Sequence, residues 1–133
     1  YGVQCLLVGC DDIDPSDGAL CMYSMDPTGT WQSWKTATAI GKYGTELRRL
    51  LARKLKESPP IQELKAALDC LLTSWKETCL DLGIDKKDKE DCQVLILRKD
   101  PKNSQTSCLF RVSTEQVDRM MDKVEAAMSA KSS

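Results

Sequence analysis

The chain has 133 residues, 41% of them hydrophobic and 29% charged, with nineteen basic and twenty acidic side chains for a formal net charge of -1. Those values fit one soluble domain and lack the electrostatic footprint of a dedicated nucleic-acid binder. No apolar run approaches the roughly 20 residues of a membrane-spanning helix, and the complete lack of histidine excludes Ser-His-Asp, Cys-His and His-zinc chemistry.

In chain order, Val3 to Gly9 is a continuous apolar run ending in glycine, the pattern of a strand covered on both faces. Asp11 to Gly18 is a turn cluster of acids, proline and glycine. Ala19 to Met25 predicts a second strand. Asp26-Pro27-Thr28-Gly29 closes it as a β-turn, and Thr30 to Ile40, rich in β-branched and aromatic residues, predicts a third strand in a hairpin with it. The period then changes. Leu47, Leu50, Leu51 and Leu55 stripe an amphipathic helix stopped by Ser58-Pro59-Pro60. A second helix is expected to begin there, with Ile61, Leu64, Leu68, Leu71, Leu72, Trp75 and Cys79 on one face.

Asp85 to Asp91 reads as a solvated charge run. Cys92 to Leu97 predicts a fourth strand and Thr106 to Val112 a fifth, joined through Lys99 to Gln105 as an antiparallel hairpin. Ser113 and Gln116 form a capping-box start for a last helix striped by Val117, Met120, Met121, Val124 and Met128. The order β-β-β-α-α-β-β-α, with strands and helices segregated, argues an α+β fold with antiparallel sheets.

Few residues carry visible chemistry. Seven cysteines (Cys5, Cys10, Cys21, Cys70, Cys79, Cys92, Cys108) contain no C-x-x-C pair, and no segment reads as a secretory leader. Reduced thiols acting as small hydrophobes are the better expectation than a disulfide framework or a zinc knuckle. Starting at Asp12, the acidic loop has oxygens at the first, third and fifth positions of a calcium loop. Its glycine arrives one place late, and Tyr23 stands where a bidentate glutamate belongs, so a solvated turn is expected. Gly41-Lys42 lacks the spacing of a phosphate loop, and these glycines are read as turning the chain from strand into helix. Trp31 and Trp34 fall on opposite faces of the third strand and are read as packing residues. Arg48, Arg49, Arg53, Lys54 and Lys56, with Lys42 just before them, crowd the first helix; without interleaved aromatics they suit an exposed face or a protein partner rather than RNA. No nucleophile–base pair is identifiable by spacing, so no catalytic, cofactor-binding or metal-binding residue is assigned, and no cofactor.

At Tyr1-Gly2-Val3, Leu6-Leu7-Val8-Gly9, Tyr23, Asp26-Pro27-Thr28-Gly29, Trp34-Lys35 and Ala39-Ile40-Gly41-Lys42 the sequence resembles α-type subunits of the 20S proteasome. Those subunits commonly read P-[FY]-G-V-x-x-L-L-[IV]-x-G-x-D and then L-Y-x-x-D-P-[ST]-G-x-x-x-x-W-K-A-x-A-I-G-K. The spacing from Asp26 to Gly41 matches without a gap. Three positions depart from the pattern: the loop Asp11 to Gly18 is longer, Thr36 replaces a common alanine, and Tyr43-Gly44-Thr45-Glu46 replaces a serine and small residues.

The resemblance implies the C-terminal half of a subunit with an Ntn-hydrolase-like α-β-β-α four-layer sandwich, which accounts for a chain that opens abruptly in strand-like sequence at Tyr1. Trp34-Lys35 with Ala39-Ile40-Gly41 is α-like, where β-type subunits carry a G-S-G stretch. The implied function is therefore a non-catalytic ring subunit in ubiquitin-dependent protein degradation, cytoplasmic and nuclear. Its partners would be other α- and β-type subunits and regulatory caps, with no nucleic acid and no membrane. The family's gating tail, N-terminal helix and inter-subunit lysine would lie upstream of Tyr1. A β-type threonine-protease fragment and a standalone α+β interaction domain are the alternatives.

Overall fold

The computed structural model describes residues 4–10, 20–57, 60–61, 63–84, 92–100 and 103–131. Eight elements follow one another: β1 (Cys5–Cys10), β2 (Leu20–Met25), β3 (Trp31–Trp34), α1 (Gly44–Glu57), α2 (Leu64–Leu82), β4 (Leu95–Asp100), β5 (Asn103–Arg111) and α3 (Thr114–Lys131). This is the expected α+β order. The strands form two antiparallel sheets, β1-β2-β3 and β4-β5. The acidic cluster Asp11 to Gly18, expected as a solvated turn, and the charge run at 85–91 lie outside the described residues.

The β2–β3 turn forms as its residues dictate. Gly29 takes φ 86, a left-handed conformation that favours glycine, and its N–H donates to the Asp26 carbonyl at 3.0 Å. The Asp26 carboxylate accepts from the Thr28 hydroxyl at 2.6 Å and from the Thr28 and Thr30 N–H groups at 3.0 Å each. The Thr28 hydroxyl first, and then the backbone donors, hold the Asp26 carboxyl below the usual carboxylate range. A depressed carboxyl stabilises the turn above the unfolded value and loses that contribution as pH falls through the folded value. In an NMR titration Asp26 is therefore expected to protonate below the ordinary aspartate range, and Thr28→Val to move it back towards that range. An unmoved titration in Thr28→Val would contradict the turn described here.

β3 is shorter than the predicted Thr30–Ile40 strand. It pairs with β2 only from Trp31↔Met25 to Trp34↔Met22. The chain then turns back, and the Gln4 side-chain carbonyl accepts from the Gly41 N–H at 2.9 Å. Residues 37–40 are partly buried without a ladder, so their β-branched character serves packing. Gly41, at φ 98, makes the turn into α1. Gly44 is buried, and a Cβ there would come within 3.1 Å of the Ala39 carbonyl oxygen. Gly41 thus turns the chain into α1 as expected, but from an unpaired segment and not from the strand itself.

α2 begins at Leu64, four residues after Pro60, rather than at the prolines. Glu63 precedes it in an extended conformation, and Pro60 and Ile61 line a groove between the helices. Its end is a Schellman motif: Gly83 is left-handed (φ 62), its N–H donates to the Leu80 carbonyl and that of Ile84 to the Cys79 carbonyl. β4 starts three residues later than predicted, although Val112 still donates to the Val94 carbonyl at 2.9 Å. The β4–β5 ladder instead runs further at its other end, pairing Lys99 with Ser107 and Asp100 with Asn103 across an irregularity. Most of the predicted link Lys99–Gln105 is thus strand. The Ser113 hydroxyl accepts from the Gln116 N–H at 3.3 Å and caps α3.

The core lies where α2, α3 and β4 meet: Leu72, Val94, Val117, Met121 and Val124 are buried, with Leu68, Trp75 and Ile96 packed around them. Leu64 and Leu71, expected on the buried face of α2, are exposed. Ser74, Lys76 and Thr78 are buried in their place, because α2 packs against α1 and against α3 on different sides.

Candidate interaction surface

The register decides what each face of the first sheet presents. Cys5, Leu7, Met25 and Trp31 share one face; Leu6, Val8, Met22, Ser24 and Trp34 share the other. Trp34 is partly covered: its Nε1 donates to the Ser24 hydroxyl at 2.7 Å, and the Arg48 guanidinium of α1 lies 5.7 Å from its ring centroid. Trp31 stays 54% exposed. The two tryptophans therefore point to opposite faces as expected, but only Trp34 packs. Leu7 and Val8, on opposite faces, are each 50% exposed, so the described residues do not cover β1 on both faces. On the second sheet, Leu95 and Leu109 fall on one face and are exposed as well.

The basic residues of the first helix do not form one patch. Arg48 is held over Trp34. Lys54 pairs with Glu77 of α2 at 3.0 Å, and Lys42 lies 5.2 Å from the ring centroid of Tyr43, itself 6.4 Å from Trp75. Arg49, Arg53 and Lys56 remain exposed at helical spacing i, i+4, i+7. Arg49 and Arg53 line a cleft of about 380 Å³ with Glu46, Leu50, Asp81 and Leu82. The face left for a partner is therefore narrower than the sequence cluster.

Sequence reasoning missed the buried polar seam of α2. The Ser74 hydroxyl donates to the Cys70 carbonyl at 2.6 Å, and that of Thr78 to the Ser74 carbonyl at 2.8 Å, which satisfies both hydroxyls inside the helix. Lys76, only 6% exposed, pairs with Glu125 of α3. Burial pushes the Cys92 thiol up, and the Lys76 ammonium pulls it part of the way back. Cys79 is buried, and Cys5, Cys21, Cys70, Cys92 and Cys108 are half-buried; none of the six is in a disulfide. Among the described residues no helix is long and apolar enough to cross a membrane. What this arrangement offers is contact area: apolar sheet faces, an arginine-lined cleft and an apolar groove between α1 and α2.

Comparison with known proteins agrees in kind. The family model described as "Proteasome subunit" matches residues 1–83, from the first strand through the end of α2. The chain is 28% identical to mouse "Proteasome subunit alpha type-8" over 133 residues, 99% of this chain and 48% of that protein. It is 36% identical over 78 residues to "Probable proteasome subunit alpha type-2" of Schizosaccharomyces pombe, 59% of this chain and 28% of that protein. It is 35% identical over 72 residues to "Proteasome subunit alpha type-7" of Cicer arietinum, 54% of this chain and 27% of that protein. The chain thus spans about half the length of the mouse relative.

Proposed function

Because the chain belongs to the proteasome subunit family, we propose that it forms the C-terminal part of one α-type subunit domain, with the rest of an Ntn-hydrolase-like α-β-β-α sandwich supplied from outside the 133 residues. Its role is mechanical and non-catalytic. It helps build the α-ring of the 20S core particle, with its gate and its docking face for regulatory caps, in ubiquitin-dependent protein degradation in cytoplasm and nucleus. Its partners are α- and β-type subunits.

The observation that carries this reading is the uncovered first sheet. Leu7 and Trp31 on one face, and Leu6 and Val8 on the other, are exposed. A strand apolar on both sides calls for two covering layers, and exposed apolar faces and strand edges are sites of association. The α-type relatives, matched along 99% of this chain in the mouse protein, supply the kind of assembly.

A tagged copy of the chain, captured from its own cells and run on a native gel, is expected to migrate with core-particle subunits of both types. Arg49→Glu with Arg53→Glu in the same capture is expected to weaken cap association about tenfold while leaving ring incorporation intact, since exposed charges set docking more than packing. Recovery without any other proteasome subunit would overturn the ring reading. Unchanged cap association would overturn the docking part alone.

A further inference from the structure

We propose that the groove between α1 and α2 is a binding site for a single-chain amphiphile with an anionic head, of the fatty-acid class. The cavity measures about 580 Å³, within the range of small-molecule sites, which are mostly apolar with a few placed polar groups. Four parts of the chain line it, and it stays open on its solvent side. α1 contributes Leu55, the link before α2 contributes Ile61, α2 contributes Ala67, Cys70 and Leu71, and residues 35–37 form the remaining wall. Leu71 is exposed although it belongs to the apolar stripe of α2, so the groove leaves apolar area open to solvent.

Charge selects the occupant. Lys35 is the only ionisable residue among the groove's lining besides the Cys70 thiol. Unlike Lys54 and Lys76, it makes no ion pair among the described residues. Thr36, beside it, adds a hydroxyl to the same wall. An aliphatic chain would cover the leucine and isoleucine surface while its carboxylate met the Lys35 ammonium, a charge-assisted contact beside a low-dielectric wall. A docked peptide helix fits less well. Such helices engage grooves through anchors spread over several turns, whereas this groove offers about 580 Å³ of apolar trough beside a single cation. The inference does not rest on the ring-subunit reading, because its lining comes from this chain alone.

Cys70 provides a local reporter. The tagged chain, kept in whatever assembly it occupies, is labelled with N-ethylmaleimide and the rate at each cysteine read by mass spectrometry. Dodecanoate is expected to slow labelling of Cys70 about tenfold and leave Cys108 unchanged. Lys35→Gln is expected to require about tenfold more dodecanoate, the size of one lost charge-assisted hydrogen bond. Ala67→Phe, which fills the groove, is expected to remove the protection. Three results would overturn the proposal: no protection of Cys70, equal protection by dodecyltrimethylammonium, or protection unchanged in both variants. Protection by an amphipathic peptide where dodecanoate gives none would also overturn it.

Discussion

Replacing Leu72 with alanine is expected to cost about 3 kcal/mol, the middle of the range for a buried leucine cut back to its Cβ. Leu72 is buried in the one cluster that joins α2 to α3 and β4, beside Val94, Val117, Met121 and Val124. This cluster holds α3 to α2, and the Lys76–Glu125 pair is a further link between the two helices. The loss should therefore be local. Amide hydrogen exchange across α2 and α3 in the assembled chain is expected to speed up about a hundredfold, the equivalent of that free energy. The turn at Asp26 should keep its wild-type protection. A change below about threefold in α3 would mean that this cluster does not hold the helix in place.

Lys76→Glu is expected to be at least as damaging, about 3–5 kcal/mol, because it replaces a paired buried cation by a buried anion facing Glu125. Lys76 is almost fully buried while the Glu125 side chain is 55% exposed, so the attraction is partly screened and the desolvation falls mainly on the lysine. Two consequences separate pairing from packing. Lys76→Met, similar in volume and without a charge, should be nearly neutral. Lys76→Glu with Glu125→Lys should recover part of the loss, because it restores opposite charges across the same contact. A double variant as unstable as Lys76→Glu alone would show that the site demands a cation at Lys76 for another reason.

The element order was legible because its boundaries are marked by residues with single physical roles. Asp26-Pro27-Thr28-Gly29 makes its turn through glycine's left-handed backbone and a carboxylate with three donors, and Ser113 caps α3. The end of β3 was not legible. Residues 36–40 have strand-like composition, and it takes the ladder's end at Trp34 and the tertiary contact of Gly41 with Gln4 to show that the chain has left the sheet. Burial of Ser74, Lys76 and Thr78 was hidden likewise, since their polarity reads as a solvent face until α1 and α3 are seen on different sides of α2.

The arginines are an intermediate case. Arg49, Arg53 and Lys56 recur at helical spacing, while Arg48 and Lys54 lie three residues either side of buried Leu51. The division into one exposed stripe and two packed side chains was present in the spacing, but reading the five residues as one cluster concealed it. The apolar groove had no sequence signal, because its lining is gathered from several short segments spread between Lys35 and Leu71. For the sheet faces, the apolar run from Val3 to Gly9 announced two covers, and the described structure shows how much of each face is still open.

Sedimentation equilibrium of the purified chain, followed by a thermal melt, decides whether the open sheet faces need covering partners. Self-association driven by the open sheet faces is expected, with a broad or irreversible transition. A monomer with a sharp, reversible two-state melt would contradict it.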